Sequence, residues 1–394
     1  MRMHSILLPA LIVTAIGIAG CAGTSTPDLE PAAPGRSDLG AFLREQMEEG
    51  RFPGMAVSIV KKGDVVFAEG YGKANIEDDE PATPFTLFML GSVAKPVTAT
   101  AVMQLHERGE LELDEDINSY LPVSVKNPQH PGTAITPRML LTHTSSIRDE
   151  KVIYDYLYTT DSEGGDSPIT LDTFLKNYLL QDGEWYDAGQ SFYRHAPGEK
   201  YNHSNVGYAL AGYLVQVVSG TPFNEYCREH IFEPLGMDST AWFLRNVDEA
   251  NVAMPYQFRA DIGHLPYGHY GYPTYPDGQL RTSATQFGRF LAMFLNEGTL
   301  EGARVLNRES VEEMVQVQFP EVHEEAALGW WFGVVGGQRA LGVDGADKGV
   351  CTSAFFMPAR NVGVIVLTNG DRTAVGERAM FAIQERLIEA AKQF

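Results

Sequence analysis

The chain has 394 residues and a formal net charge of −21, with 44% hydrophobic and 21% charged residues. That is enough apolar material for a sizeable core in one large or two closely joined domains. Phosphate backbones and anionic lipid surfaces repel so acidic a body, and it carries no Lys/Arg-rich run, so nucleic acid is excluded as a partner.

In chain order, Arg2 precedes an apolar run from Ile6 to Ala19, which closes on Ile18-Ala19-Gly20-Cys21. The run is shorter than the roughly 20 residues a spanning helix needs, so residues 1–20 read as a cleaved signal peptide. Ile-Ala-Gly-Cys resembles the bacterial lipobox. That implies lipidation of Cys21, export, and anchoring in the envelope through the N-terminal lipid alone, at an outer membrane and facing the periplasm. The alternative is an ordinary signal that happens to contain a cysteine. Residues 21–37 are small, polar and Pro-rich, as a tether should be. Behind them only Cys227 and Cys351 remain, too few for a disulfide framework, and both are expected to be free and buried.

The domain is expected over 38–394. Leu39, Phe42, Leu43 and Met47 form one stripe of a helix over about 38–49. Met55–Lys61 and Val65–Tyr71 read as strands joined by a hairpin at Lys62-Gly63-Asp64. Ser92 to Arg108 reads as a buried helix stopped by Gly109, and Gly207–Ser219 and Ser283–Leu295 as further helices. Loop-like stretches lie near 158–170 and 255–280. Strands return at Trp330–Val335, Arg339–Val343, Val350–Met357 and Val362–Thr368. A last helix carries Met380, Ile383, Leu387 and Ala391 on one face. The expected fold class is α+β. An antiparallel sheet from both chain ends (38–85 with 300–394) is flanked by terminal helices, and a mostly helical part (86–299) is inserted.

S-x-x-K occurs twice, at Ser58–Lys61 and Ser92–Lys95. Spacing i, i+3 places two side chains on one face of a helix but on opposite faces of a strand. Ser58 lies in the strand-like AVSIV, so Lys61 points away from it. Ser92 follows Gly91 at a helix start, where Lys95 can reach its hydroxyl and Pro96 is tolerated. Taken alone, the pattern is better read as a helix cap beside a surface lysine than as a nucleophile and its base.

The context narrows it. Gly91-Ser92-Val93-Ala94-Lys95-Pro96 is followed by Leu140-Leu141-Thr142-His143-Thr144-Ser145, then by Tyr201-Asn202-His203-Ser204-Asn205. After these come Asp277-Gly278-Gln279-Leu280 and Gly342-Val343-Asp344-Gly345-Ala346. This ordered series, over about 38–390, resembles the class C β-lactamase family with its DD-peptidase, D-aminopeptidase and family VIII esterase relatives. The resemblance implies that Ser92 attacks an acyl carbon, that Lys95 moves protons, and that Asn205 lines the site. It also implies that the backbone N–H groups of Ser92 and Ala346 hold the oxyanion.

Two positions depart from the family pattern. His203 stands where the family carries its catalytic tyrosine, and Val343 where it carries a lysine or histidine. Tyr201 falls two residues early, at a position that is usually a core aromatic. A neutral imidazole at 203 can accept a proton from Ser92 or a water, and Lys95 nearby would keep it neutral. The competing reading is a buried ring in a disabled site. Val343 removes the anchor for a substrate carboxylate, and Asp344 and Asp347 add negative charge, unless Lys348 or Arg339 compensates. The aromatic stretch His264, Tyr267, His269, Tyr270, Tyr272, Tyr275 reads either as a substrate lid or as an ordered surface loop.

No metal-ligand pattern, phosphate loop or G-x-S-x-G elbow is present, and no cofactor is called for. The expectation is a serine acyl hydrolase (esterase, amidase or peptidase) acting on a small-molecule or peptide acyl substrate through acyl-Ser92. Catalytic roles fall to Ser92, Lys95 and His203, and substrate contacts to Asn205, Ala346 and Val343. The alternatives are a catalytically inactive envelope binding protein of the same fold, and a β-lactamase or DD-carboxypeptidase.

Overall fold

The computed structural model describes residues 34–150, 157–160 and 165–394, and the signal, the Cys21 lipidation site and most of the tether lie outside them. Among the described residues no helix is long and apolar enough to cross a membrane.

Helix α1 (Pro34–Glu49) buries Leu39, Leu43 and Met47, one face of successive turns. Strands β1 (Gly54–Lys61) and β2 (Asp64–Asn75) follow, joined by Lys62 at φ 54° and Gly63 at φ 82°. Two positive φ values in a two-residue loop make the hairpin turn whose twist matches its strands, and glycine adopts it without strain. A short third strand, β3 (Glu80–Pro81), pairs with β2.

The remaining central strands come from the other end of the chain. They are preceded by a small hairpin, β4 (Tyr256–Arg259) and β5 (Gly263–Pro266). Then come β6 (Trp331–Val335), β7 (Gln338–Asp347), β8 (Val350–Met357) and β9 (Val362–Thr368). The sheet order is β6-β7-β8-β9-β1-β2-β3, and β9 closes on β1 antiparallel with Met55 opposite Thr368. Strand alternation feeds two cores. Ala56, Val60, Ile365 and Leu367 face the helical layer, whereas Met55, Val57, Val364 and Val366 face α1 and the C-terminal helix.

The helical layer holds α2 (Lys95–Glu107), α3 (Asn205–Ser219) and α4 (Ala284–Leu295), and α5 (Ala374–Ala390) covers the other face. Helix α3 starts at Ser204, whose Oγ accepts the Gly207 N–H at 2.9 Å, and stops at the left-handed Gly220. The α+β architecture follows the sequence expectation.

The stretch 255–280 does not. It contains the β4–β5 hairpin, which the polar, Gly-punctuated sequence concealed. Its rings also turn inward. His269, Tyr270, Tyr272 and Tyr275 are buried, Tyr270–Gly271 pairs with Thr159–Thr160, and Tyr270 and Tyr272 pack on Met89 and Val350. The part from His269 onward is therefore a packed wall, whereas the β4–β5 hairpin before it, with His264 and Tyr267 half-buried and Ile262 exposed, lies at the surface. Strand β7 also runs four residues past the expected Val343. Cys227 and Cys351 are both buried and free.

Candidate active site

Gly91 to Ala94 form one 3₁₀ turn that runs directly into α2. This brings Ser92 and Lys95 onto one face, with Nζ 2.8 Å from Ser92 Oγ. Nζ also donates to Asn205 Oδ1 at 2.8 Å and to the Asp277 carbonyl at 2.9 Å. Lys95 is 1% exposed. Burial therefore pushes its pKa down, while Asp277, Asp149 and Asp347 pull it back up. As a neutral amine it keeps its donations to Asn205 and Asp277, and its lone pair faces the Ser92 hydroxyl.

Beyond Gly342, which pairs with Trp331, strand β7 is bonded only to β8. The 3₁₀ turn lies against this open stretch. A Cβ on Gly345 would stand 2.2 Å from the Leu90 carbonyl and 3.2 Å from the Ser92 nitrogen. One on Gly91, which sits at φ 55°, would stand 3.1 Å from the Ala346 nitrogen. Only glycine allows this approach, and Thr352 ties it by donating to the Leu90 carbonyl. The amides of Ser92 and Ala346 are thus set beside one another at the mouth of the site.

A cavity of about 480 Å³ collects every sequence-named site residue of the folded part: Ser92, Lys95, His203, Asn205, Val343 and Ala346. Its walls are strongly aromatic, adding Tyr201, Trp331, Phe332 and Phe355. Tyr201, expected in the core, lines the cavity, with its ring 4.1 Å from that of His323. Val343 is 5% exposed and belongs to the helical-side core, so the family's cation position is apolar here.

Neither candidate for replacing that cation does so. Arg339 lies over the Phe332 ring at 3.8 Å, and Lys348 over Tyr158 at 4.1 Å. The arginine that does reach the cavity is Arg372, just after β9, where its Nε also bonds Glu377 at 2.7 Å. The sequence offered no signal for it beyond its place after a strand.

His203 opens onto the cavity and lies against His143, with ring centroids 4.4 Å apart and the planes tilted by 37°. Burial first, and the Lys95 charge second, push its imidazole down to about 3. Water at the open edge of the ring works against that shift, but its direction is downward on both counts. Sequence reasoning named only the smaller cause. His143, at φ 59°, holds this segment from behind: its carbonyl accepts the Asn202 N–H at 2.8 Å and its Nδ1 the Ser204 N–H at 3.1 Å. Accepting at Nδ1 requires the neutral ring, and burial keeps His143 well below its usual range. His203 at neutral pH is therefore an uncharged, weakly basic group.

Sequence reasoning also missed Asp149. Its carboxylate accepts the Ser204 hydroxyl at 3.0 Å, the Asn205 N–H at 2.7 Å and the Val206 N–H at 3.0 Å. Burial pushes this carboxyl up, against the pull of those bonds.

A serine open to a cavity and held to a buried lysine under a strand edge, between a helical layer and an antiparallel sheet, defines the β-lactamase-like class of serine hydrolases. The protein-family model described as Beta-lactamase matches residues 39–386, and the chain belongs to that family. It is 28% identical over 277 residues to the putative penicillin-binding protein PbpX of Bacillus subtilis strain 168, covering 70% of this chain and 62% of that protein. It spans less than two thirds of the length of the curated relatives it matches first. The octameric penicillin-binding protein homologue from Pyrococcus abyssi superposes with a TM-score of 0.71 at 28% identity, over 88% of this chain and 76% of that one. EstCE1, described as a hydrolase with promiscuous acyltransferase activity, is similar in fold at a TM-score of 0.66 and 21% identity, over 89% and 98% of the two chains.

Proposed function

We propose that this chain is a serine acyl hydrolase that cleaves neutral esters or amides through an acyl-Ser92 intermediate. The observation that carries the reading is a buried amine, Lys95 Nζ, 2.8 Å from the Ser92 hydroxyl and with a lowered proton affinity. Neutral Lys95 takes the hydroxyl proton as Oγ bonds to the carbonyl carbon. The carbonyl oxygen gains the negative charge and is held by the Ser92 and Ala346 N–H groups. The C–O or C–N bond then breaks, and the leaving group takes the proton back from the Lys95 ammonium, with neutral His203 as a relay at the cavity mouth. Water enters by the same route: it gives its proton to Lys95, attacks the acyl carbon and releases Ser92 Oγ, which recovers the proton.

Val343 supplies no charge to a substrate carboxylate, and the Arg372 that reaches the cavity is already bonded to Glu377 and offset by Asp344, so anionic acyl-D-Ala or β-lactam substrates fall behind neutral ones. The test is a panel of p-nitrophenyl esters together with fluorophosphonate labelling. Labelling confined to Ser92, with ester turnover, is the expected result. Absence of both would make the chain a binding protein of the same fold, and efficient benzylpenicillin turnover would make it a β-lactamase.

On sequence grounds alone we also propose that Cys21 is lipidated and anchors the enzyme in the envelope. Cys21→Ser is then found in the soluble fraction or stalled as precursor. A processed variant that stays membrane-bound refutes the anchor.

A further inference from the structure

The proton on Lys95 is shared among an alcohol, a side-chain amide and a backbone carbonyl, none of them charged. The charge that balances it stands further off. Asp277, Asp149 and Asp347 face it as carboxylates, His143 and His203 as imidazoles, and the Tyr208 ring lies 5.4 Å from Nζ. Asp149 differs from the rest because it is also bonded to the residue that holds Lys95. Its Oδ2 takes the Asn205 N–H, while Asn205 Oδ1 takes the Lys95 proton.

Capping alone does not account for this arrangement. Ser204 already caps α3 by accepting the Gly207 N–H. Asp149 adds a second, charged acceptor from a loop 56 residues away in sequence, and takes the Asn205 and Val206 amides as well as the Ser204 hydroxyl. At this helix end the dipole, the two amides, the Ser204 hydroxyl and the Lys95 charge favour the carboxylate, against the burial that pushes its pKa up. It is thus linked to the nucleophile's base through a single intervening residue, Asn205.

We infer that Asp149 is a positioning residue for the reaction: through the first turn of α3 it fixes Asn205, and by its charge it sets how readily Lys95 releases its proton. This rests on the reading of Lys95 as the base for Ser92. Removing the charge destabilises the ammonium, so the neutral amine persists to lower pH and the acid limb of the rate profile moves down.

The experiment measures the rate of Ser92 labelling by a fluorophosphonate against pH, and kcat and KM for one p-nitrophenyl ester, in wild type and three variants. In Asp149→Asn the acid limb moves down by about one pH unit, the low end of what a nearby opposite charge does, and kcat falls with KM little changed. Ser204→Ala weakens the same helix end and removes one of the carboxylate's donors but leaves Asp149 and its two amide donors in place, so its limb moves less than that of Asp149→Asn. Asp149→Glu keeps the charge and so the limb, but lowers kcat because the longer side chain displaces Asn205. Coincident limbs in Asp149→Asn and wild type overturn the inference. So does a wild-type kcat in Asp149→Glu, which also serves should Asp149→Asn not fold. A wild type unlabelled at Ser92 at every pH overturns the reading of the site itself, a different outcome from a labelled wild type whose limb ignores Asp149.

Discussion

Ser58–Lys61 and Ser92–Lys95 have the same spacing, and the backbone beneath them decides what each becomes. On β1, Ser58 faces the helical layer and donates to the Ala284 carbonyl at 2.9 Å, while Lys61 emerges on the opposite face and donates to the Ala391 carbonyl at 2.7 Å. At the start of α2 the same four-residue interval brings hydroxyl and amine into contact in a cavity. The first pair fastens helices to the two faces of the sheet; the second is placed to do chemistry. A short motif acquires meaning only from the period of the element that carries it.

The largest effect that would break this comparison is at the nucleophile. Ser92→Ala removes the attacking oxygen, and ester turnover falls by roughly 10⁴-fold or more, with covalent labelling lost. Labelling that survives would place the nucleophile elsewhere. His203→Ala comes next, lowering kcat/KM by roughly a hundredfold, with His203→Tyr retaining more activity. Because burial and the Lys95 charge both push the His203 imidazole down, a limb near neutrality that survives in His203→Ala belongs to Lys95. Equal rates for wild type and His203→Ala would reject the relay.

A smaller change is expected from Val343→Lys, which puts a cation at the apolar end of the cavity. The ratio of anionic to neutral substrate turnover rises roughly tenfold by Coulomb attraction, and an unchanged ratio would show that the selectivity lies elsewhere. Smallest of all is Ser58→Ala. Kinetics stay within about twofold, and chemical denaturation shows a loss of about 1 kcal/mol, the scale of one buried hydrogen bond. A large kinetic effect there would collapse the distinction between the two pairs.

Elements whose partners are local were legible in the sequence. The β1–β2 hairpin, the start of α2 and the amphipathic C-terminal helix each follow from a turn signal or a periodicity within a dozen residues. The named site residues were legible because the motifs occur in a known order. Asp149 and Arg372 were not, because each acts on a segment far from it in sequence and neither lies in a pattern that marks it. The inward turn of Tyr270 and Tyr272 was hidden for a related reason. An aromatic run between glycines reads as surface until its neighbours, Met89 and Val350, are supplied by distant parts of the chain. The weak basicity of His203 depends on how much protein surrounds the ring, which no local pattern states.

The pairing of β9 with β1 bears on how the molecule is made. Gly54 and Asn369, bonded at 2.8 Å across this seam, are 315 residues apart in the chain. A ribosome delivers β1 and β2 long before their central neighbour exists, so the emerging hairpin exposes an unpaired edge and an uncovered apolar face until β9 is made. The sheet, and with it the strand edge beside Ser92, can close only once β9 has emerged. Assembly is therefore a late event dominated by contacts distant in sequence, and slow spontaneous refolding is expected.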